Sequence, residues 1–144
     1  MHGVSISRAA NQSIPDSADT VITFDQINFD TDGYFSLGSP DRITIPASLA
    51  GKYLLIGSQA YAPGVLPGSI RTCTIGDLPF TLDLANAQIP PVAGSSTEFE
   101  CSAVVELAAG AVLQLHAFQD SGAAINSGGD PPAATSLFAA FLGS

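Results

Sequence analysis

Positive charge is the scarcest component of this chain. Only Arg8, Arg42, Lys52 and Arg71 carry it, against 13 Asp and Glu, for a net charge of −9 over 144 residues. Recognition of nucleic acid needs clustered Lys and Arg to neutralise phosphates, and attraction to an anionic membrane surface needs the same. Neither partner is expected. Charge of both signs together is low, at 12% of residues, where about 25% is usual. No apolar run reaches the ~20 residues of a membrane-spanning helix, so membrane insertion is not expected either. The opening Met1-His2-Gly3-Val4 has no basic stretch leading into an apolar one, so no signal peptide is expected and synthesis in a cytoplasm is.

Chemistry-bearing residues are equally sparse. There are two cysteines, Cys73 and Cys101. Two are too few for a disulfide framework, and their spacing fits no zinc motif. They read either as small buried hydrophobes or as one structural disulfide. Of the two histidines, His2 lies at the terminus. His116 alternates within an apolar segment and reads as a packed side chain. No Ser-His-Asp, Cys-His or H-E-x-x-H arrangement occurs, so no catalytic residue, metal ligand set or cofactor is expected. Asp30 and Asp32 could approach a hard cation, but two carboxylates are too few and both suit a turn. Asp120 and Asp130, flanking a Gly-rich loop, face the same shortage. Glu98, Glu100 and Glu106 share one face of a segment and read as solvated, whereas paired-carboxylate hydrolysis needs one acid buried.

What the chain does have is apolar surface and punctuation. Hydrophobic residues make up 46% and mean hydropathy is +0.32. A lone soluble domain has little use for so much, and a subunit interface is the simplest destination. Fourteen glycines and ten prolines cut the chain into short segments, the pattern of an all-β sandwich or barrel within one domain. Strands are expected over residues 4–7, 20–25, 42–45, 52–62, 69–75, 97–107, 111–119 and 136–142. Residues 11–16 read as a loop or edge, 30–33 as a turn, 77–96 as indistinct with short pieces near 80–84, and 121–134 as a loop. Tyr53-Leu54-Leu55-Ile56 is apolar on both faces, as a central strand covered on both sides must be. In residues 97–107 Phe99, Cys101, Ala103 and Val105 alternate with polar positions, giving one wet face. The closing strand 136–142 is apolar on both faces and belongs in mid-sheet.

The order of five short motifs then becomes informative: Phe24-Asp25 with Asp30-Thr31-Asp32-Gly33, Ala50-Gly51-Lys52-Tyr53, Leu107-Ala108-Ala109-Gly110, Phe118-Gln119-Asp120-Ser121-Gly122, and the apolar ending Phe138 to Leu142. In this order and over nearly the whole chain they resemble the C1q/TNF-like jelly-roll domain of bacteriophage particle-surface proteins. Phe29 stands where a Trp often precedes D-T-D-G, Ala111 where an acidic residue often follows L-A-A-G, and Gly76-Asp77 where N-G is often found. The resemblance implies a ten-stranded jelly-roll sandwich assembling as a homotrimer, without catalytic machinery. Residues 1–20 would form an N-terminal arm and first strand, and 21–144 the jelly roll. Candidate trimer contacts are Tyr53, Leu55, His116, Phe118, Phe138 and Leu142, each with ordinary core as the alternative. The function implied is a trimeric decoration or spike protein on a virion, partnered by capsid or fibre proteins and made in the host cytoplasm. The alternative is a receptor-binding tail-fibre knob holding host glycan or protein. The chain spends itself on one globular domain with no heptads for a shaft, which favours direct docking on the particle.

Overall fold

The computed structural model describes residues 1–63, 68–92, 94–128 and 135–144. Every regular element among them is a strand: β1 (Gly3–Arg8), β2 (Gln12–Ile14), β3 (Thr20–Val21), β4 (Gln26–Asp30), β5 (Ile43–Thr44), β6 (Gly51–Tyr61), β7 (Arg71–Asp77), β8 (Asp83–Ile89), β9 (Thr97–Leu107), β10 (Val112–Gln119), β11 (Ile125–Ser127) and β12 (Thr135–Gly143). The alternation of residues 97–107 and the doubly apolar runs in β6 and β12 are what a strand of period two, and a strand covered on both faces, require. Twelve segments appear where ten were expected. The surplus comes from two- and three-residue pieces, which turns and, for β2, Pro15 prevent from growing.

The strands form two antiparallel sheets. One runs β2-β11-β6-β12-β1-β4, with β9 on the other flank of β6; the second runs β3-β10-β7-β8, with β5 beside β10. β12 therefore sits in mid-sheet, between β1 and β6, as its composition requires. β1 is woven into the same sheet between β12 and β4, with Val4 and Ile6 fully buried. Within the segment 1–20, expected as an arm and first strand, β1 is that strand, and its alternating apolar residues enter the core.

Other differences have physical causes. Only Thr20–Val21 of residues 20–25 pairs as strand; beyond it the Ile22 amide still bonds Leu115 O at 2.8 Å, but the Phe24 amide turns to Pro40 O. β4 is an edge strand whose first three residues are exposed, so its sequence carries no core signal. β11, inside the expected loop, exists by pairing with β2. Asp130 of that loop lies outside the described residues. In residues 77–96 the strand is β8, displaced toward the C-terminus from the expected pieces, and Phe80 sits in the preceding turn at φ 66°.

The core lies between the sheets and holds Ile6, Ile22, Phe24, Ile43, Tyr53, Leu55, Ile75, Leu115 and Leu137, all almost wholly buried. Tyr61 fastens the two layers: its hydroxyl lies between Thr72 O at 2.7 Å and Phe118 O at 3.0 Å and shares its one proton with these two acceptors. The buried Arg71 guanidinium stands over its ring. Burial pushes the Tyr61 hydroxyl pKa above its ordinary value, as removal from water must for a group that ionises to an anion.

A candidate self-association face

The side of the seven-stranded sheet turned away from the core carries the most unusual surface. Antiparallel partners share a face, so register identifies its members. Ser5 opposes Phe29 and Phe138; Phe138 opposes Ile56; Ile56 opposes Ser102. In the neighbouring row Ala140 opposes Leu54, and Leu54 opposes Val104. Leu142 follows on β12 at the bulge between Phe141 and Gly143. Within one chain Phe29, Leu54, Ile56 and Phe138 are half-buried, while Val104 is 63% and Leu142 56% exposed. Phe29 and Phe138 meet edge to face, with centroids 6.2 Å apart and planes at 75°. An apolar band therefore crosses the sheet from β4 to β9.

Its surroundings are polar. Glu98, Glu100, Ser102 and Glu106 line the outer face of β9 and are exposed, matching the wet face read from the alternation. The Ser58 hydroxyl donates to Glu100 Oε1 at 2.9 Å. An apolar centre with a polar rim is the anatomy of an interface rather than of a solvated sheet.

The six residues proposed from sequence separate into three groups. Tyr53 and Leu55 have no accessible surface in a single chain, because β6 turns them inward and leaves Leu54 and Ile56 outward. As partner contacts they are corrected to core. Phe138 and Leu142 lie on the outer face just described. His116 and Phe118 lie on β10 in the other sheet. Leu54, Ile56, Phe29 and Val104 were missed; the doubly apolar run flagged β6 but could not say which half of it faced outward.

His116 is nearly buried, at 4% exposure. Its Nδ1 lies 2.6 Å from Asp19 Oδ2, and Phe80 stacks on the ring at 3.7 Å between centroids. Gly76 makes this possible, since a Cβ there would run into the Phe80 ring. Nε2 is buried without a hydrogen-bond partner among the described residues. A general base must reach the proton it removes, and burial keeps Nε2 of this ring from solvent. The arrangement serves packing, as the sequence reading held.

The D-T-D-G motif is a structural lock. Asp30 Oδ1 accepts the amides of Asp32, Gly33 and Tyr34 at 3.3, 2.9 and 3.0 Å, and Oδ2 that of Phe35 at 2.9 Å. Gly33 takes φ 79°, a conformation glycine adopts without Cβ strain. Thr31 Oγ1 accepts the Gly3 amide at 2.8 Å, tying the turn to β1. The Thr31 hydroxyl and then His2 hold the Asp32 carboxyl below its ordinary range. Among the described residues no group of three or more His, Cys, Asp or Glu could hold a metal ion. Asp120 is used the same way: it accepts the Ser69 hydroxyl and the amides of Ser69 and Ile70. Three of the four basic residues are also engaged internally. Arg8 donates to Thr23 O and Asn11 O, Arg42 to both oxygens of Asp41, and Arg71 is 2% exposed.

Two facing antiparallel sheets with this strand order define a jelly-roll β-sandwich, and the solved structures narrow it to the C1q/TNF-like form. The globular domain of a zebrafish complement 1qA protein superposes with a TM-score of 0.68 at 13% identity, covering 99% of this chain and 98% of its own. Murine APRIL at pH 5.0 gives 0.72 at 11% identity, covering 97% and 98%. The Eiger TNF of S. frugiperda gives 0.68 at 9%, covering 99% and 93%. No family model matches the chain, and neither does any curated protein sequence. Identities this low speak for fold alone. The chain has a C1q/TNF-like jelly-roll fold.

Proposed function

We propose that the chain is a non-enzymatic display module that assembles as a homotrimer through the outer face of its seven-stranded sheet, and that the trimer decorates the surface of a phage or phage-like particle. The observation that carries the assembly is the apolar band Phe29–Phe138–Ile56–Leu54–Val104, framed by serines and glutamates. Cyclic symmetry sets one subunit's patch against a different patch on the next and closes a ring. The particle-surface assignment rests on the motif order, which resembles phage proteins of this fold. Capsid or fibre proteins are the partners it requires. With Arg71 buried, and Arg8 and Arg42 already bonded within the chain, the surface favours protein or neutral glycan over phosphate.

Light scattering tests the assembly: a mass near three times 14.6 kDa supports it, and a mass of one chain at micromolar concentration refutes it. Antibody labelling and imaging of the particles test the location. Many copies over the head support decoration, whereas a few at the tail end favour the adhesive knob. That second reading draws on the tip between β7 and β8, where Leu78 and Leu82 stand exposed on the opposite sheet, a site free to meet a receptor. Turnover of host polysaccharide by the purified protein, abolished by one carboxylate substitution, would overturn the non-enzymatic reading.

A further inference from the structure

The two cysteines, 28 residues apart in sequence, meet in the core with their sulfurs 3.4 Å apart. They belong to different sheets: Cys73 is on β7 and Cys101 on β9. The layer around them is built of small residues. Gly57 opposes Cys101 across the β6–β9 ladder, and Ala87 and Ala117 oppose Cys73 on either side of β7. A Cβ on Gly57 would stand 2.7 Å from Leu115 Cδ1 and 3.2 Å from Cys101 Sγ. The small residues let the two sheets bring the thiols face to face, which is the approach a bond across two sheets needs.

We propose that Cys73 and Cys101 are an oxidisable pair that closes into a disulfide between the two sheets, with a small peroxide as oxidant. Both thiols are free and buried, and the pair is inaccessible to a bulky thiol-exchange partner. Cys101 retains 4% exposure while Cys73 has none, so the reaction begins at Cys101. The hydrogen bond from Cys73 favours ionisation of the Cys101 thiol; the same bond, with burial, holds the Cys73 thiol in its protonated form.

The chemistry balances. The Cys101 thiolate attacks one peroxide oxygen; an S–O bond forms, the O–O bond breaks, and hydroxide leaves and is protonated to water. Cys73 sulfur then attacks the Cys101 sulfenic sulfur. The S–S bond forms, the S–O bond breaks, and the departing hydroxide takes the Cys73 proton as a second water. The two sulfurs lose two electrons and the peroxide gains them. The product ties β7 to β9 and encloses the β8 strand. It is independent of assembly, because neither sulfur lies on the proposed self-association face.

The test uses the full chain purified under reductant, then treated with dilute hydrogen peroxide. The expected product weighs two hydrogens less and resists iodoacetamide under denaturing conditions until reductant is added. It yields one cross-linked peptide containing both cysteines. Because closing a loop of this length removes entropy from the unfolded chain, the thermal midpoint should rise by about 10 °C, and reductant should reverse the rise. The Cys73→Ala variant should show no oxidant-dependent rise and should trap a sulfenic acid at Cys101. Two freely alkylated thiols after treatment, sulfinic or sulfonic acid without the cross-link, or an equal midpoint rise in the variant would each overturn the proposal. The peptide map of the wild-type chain decides the matter even if the variant fails to fold.

Discussion

Replacing Phe138 with Asp should dissolve the assembly and leave the fold standing. In a single chain Phe138 is half-buried and its main aromatic neighbour is Phe29, so truncation costs the subunit about 1 kcal/mol of edge-to-face contact. In the proposed trimer the same position is covered by another copy, and the substitution places a carboxylate there with no cation beside it. Leaving a polar group desolvated and unpaired costs about 2–3 kcal/mol by mutational measures, and a charge costs at least that. Three copies give about 6–9 kcal/mol per ring, or four to six orders of magnitude in the dissociation equilibrium. Sedimentation or light scattering at micromolar concentration should therefore report one 14.6 kDa chain. Circular dichroism should still show β structure, with a thermal midpoint lowered by the lost association. If F138D keeps the wild-type mass, Phe138 is not covered by a partner and the proposed face is wrong. If it loses its β signal, the side chain belongs to the fold instead.

Other consequences follow from particular groups. Asp30→Ala removes the acceptor for four amides and should destabilise the fold by about 2 kcal/mol in denaturant titration. For the same reason millimolar calcium should not move the wild-type thermal midpoint, and a clear calcium-dependent rise would show that those oxygens are not committed to the turn. Gly57→Ala pushes a methyl against Leu115, Ile75 and Cys101 and should cost about 1–3 kcal/mol by overpacking; a neutral result would mean the sheets can move apart there. The Ser69 hydroxyl followed by the Ile70 and Ser69 amides lowers the pKa of Asp120, the Leu82 amide and Thr81 hydroxyl lower that of Asp77, and Arg42 lowers that of Asp41. A carboxylate with a depressed folded pKa contributes stability above its unfolded value, ordinarily 3.8, and loses it as pH falls through the lower folded value. The thermal midpoint should thus be level from pH 5 to 8 with respect to these groups and drop below about pH 4. A midpoint that rises on acidification past pH 4 would contradict the assigned hydrogen bonds.

The sequence by itself determined the class of the fold, the long strands and the turns. Period-two alternation, doubly apolar runs, and Asp or Gly at turn positions are local signals, and they placed β6, β9, β10 and β12 and the D-T-D-G turn. It also established that the chain carries more apolar residues than charge to balance them. The tertiary structure alone decided which half of each apolar run faces inward, because alternation marks two faces without naming the one the second sheet will cover. That is why Tyr53 and Leu55 proved to be core while Leu54 and Ile56 face outward. It likewise decided the edge strand β4 and the short β11 between β2 and β6, which owe their conformation to partners distant in the chain. Only the packing of one sheet on the other could bring Cys73 to Cys101, since a contact spanning different sheets leaves no trace in the spacing of either residue.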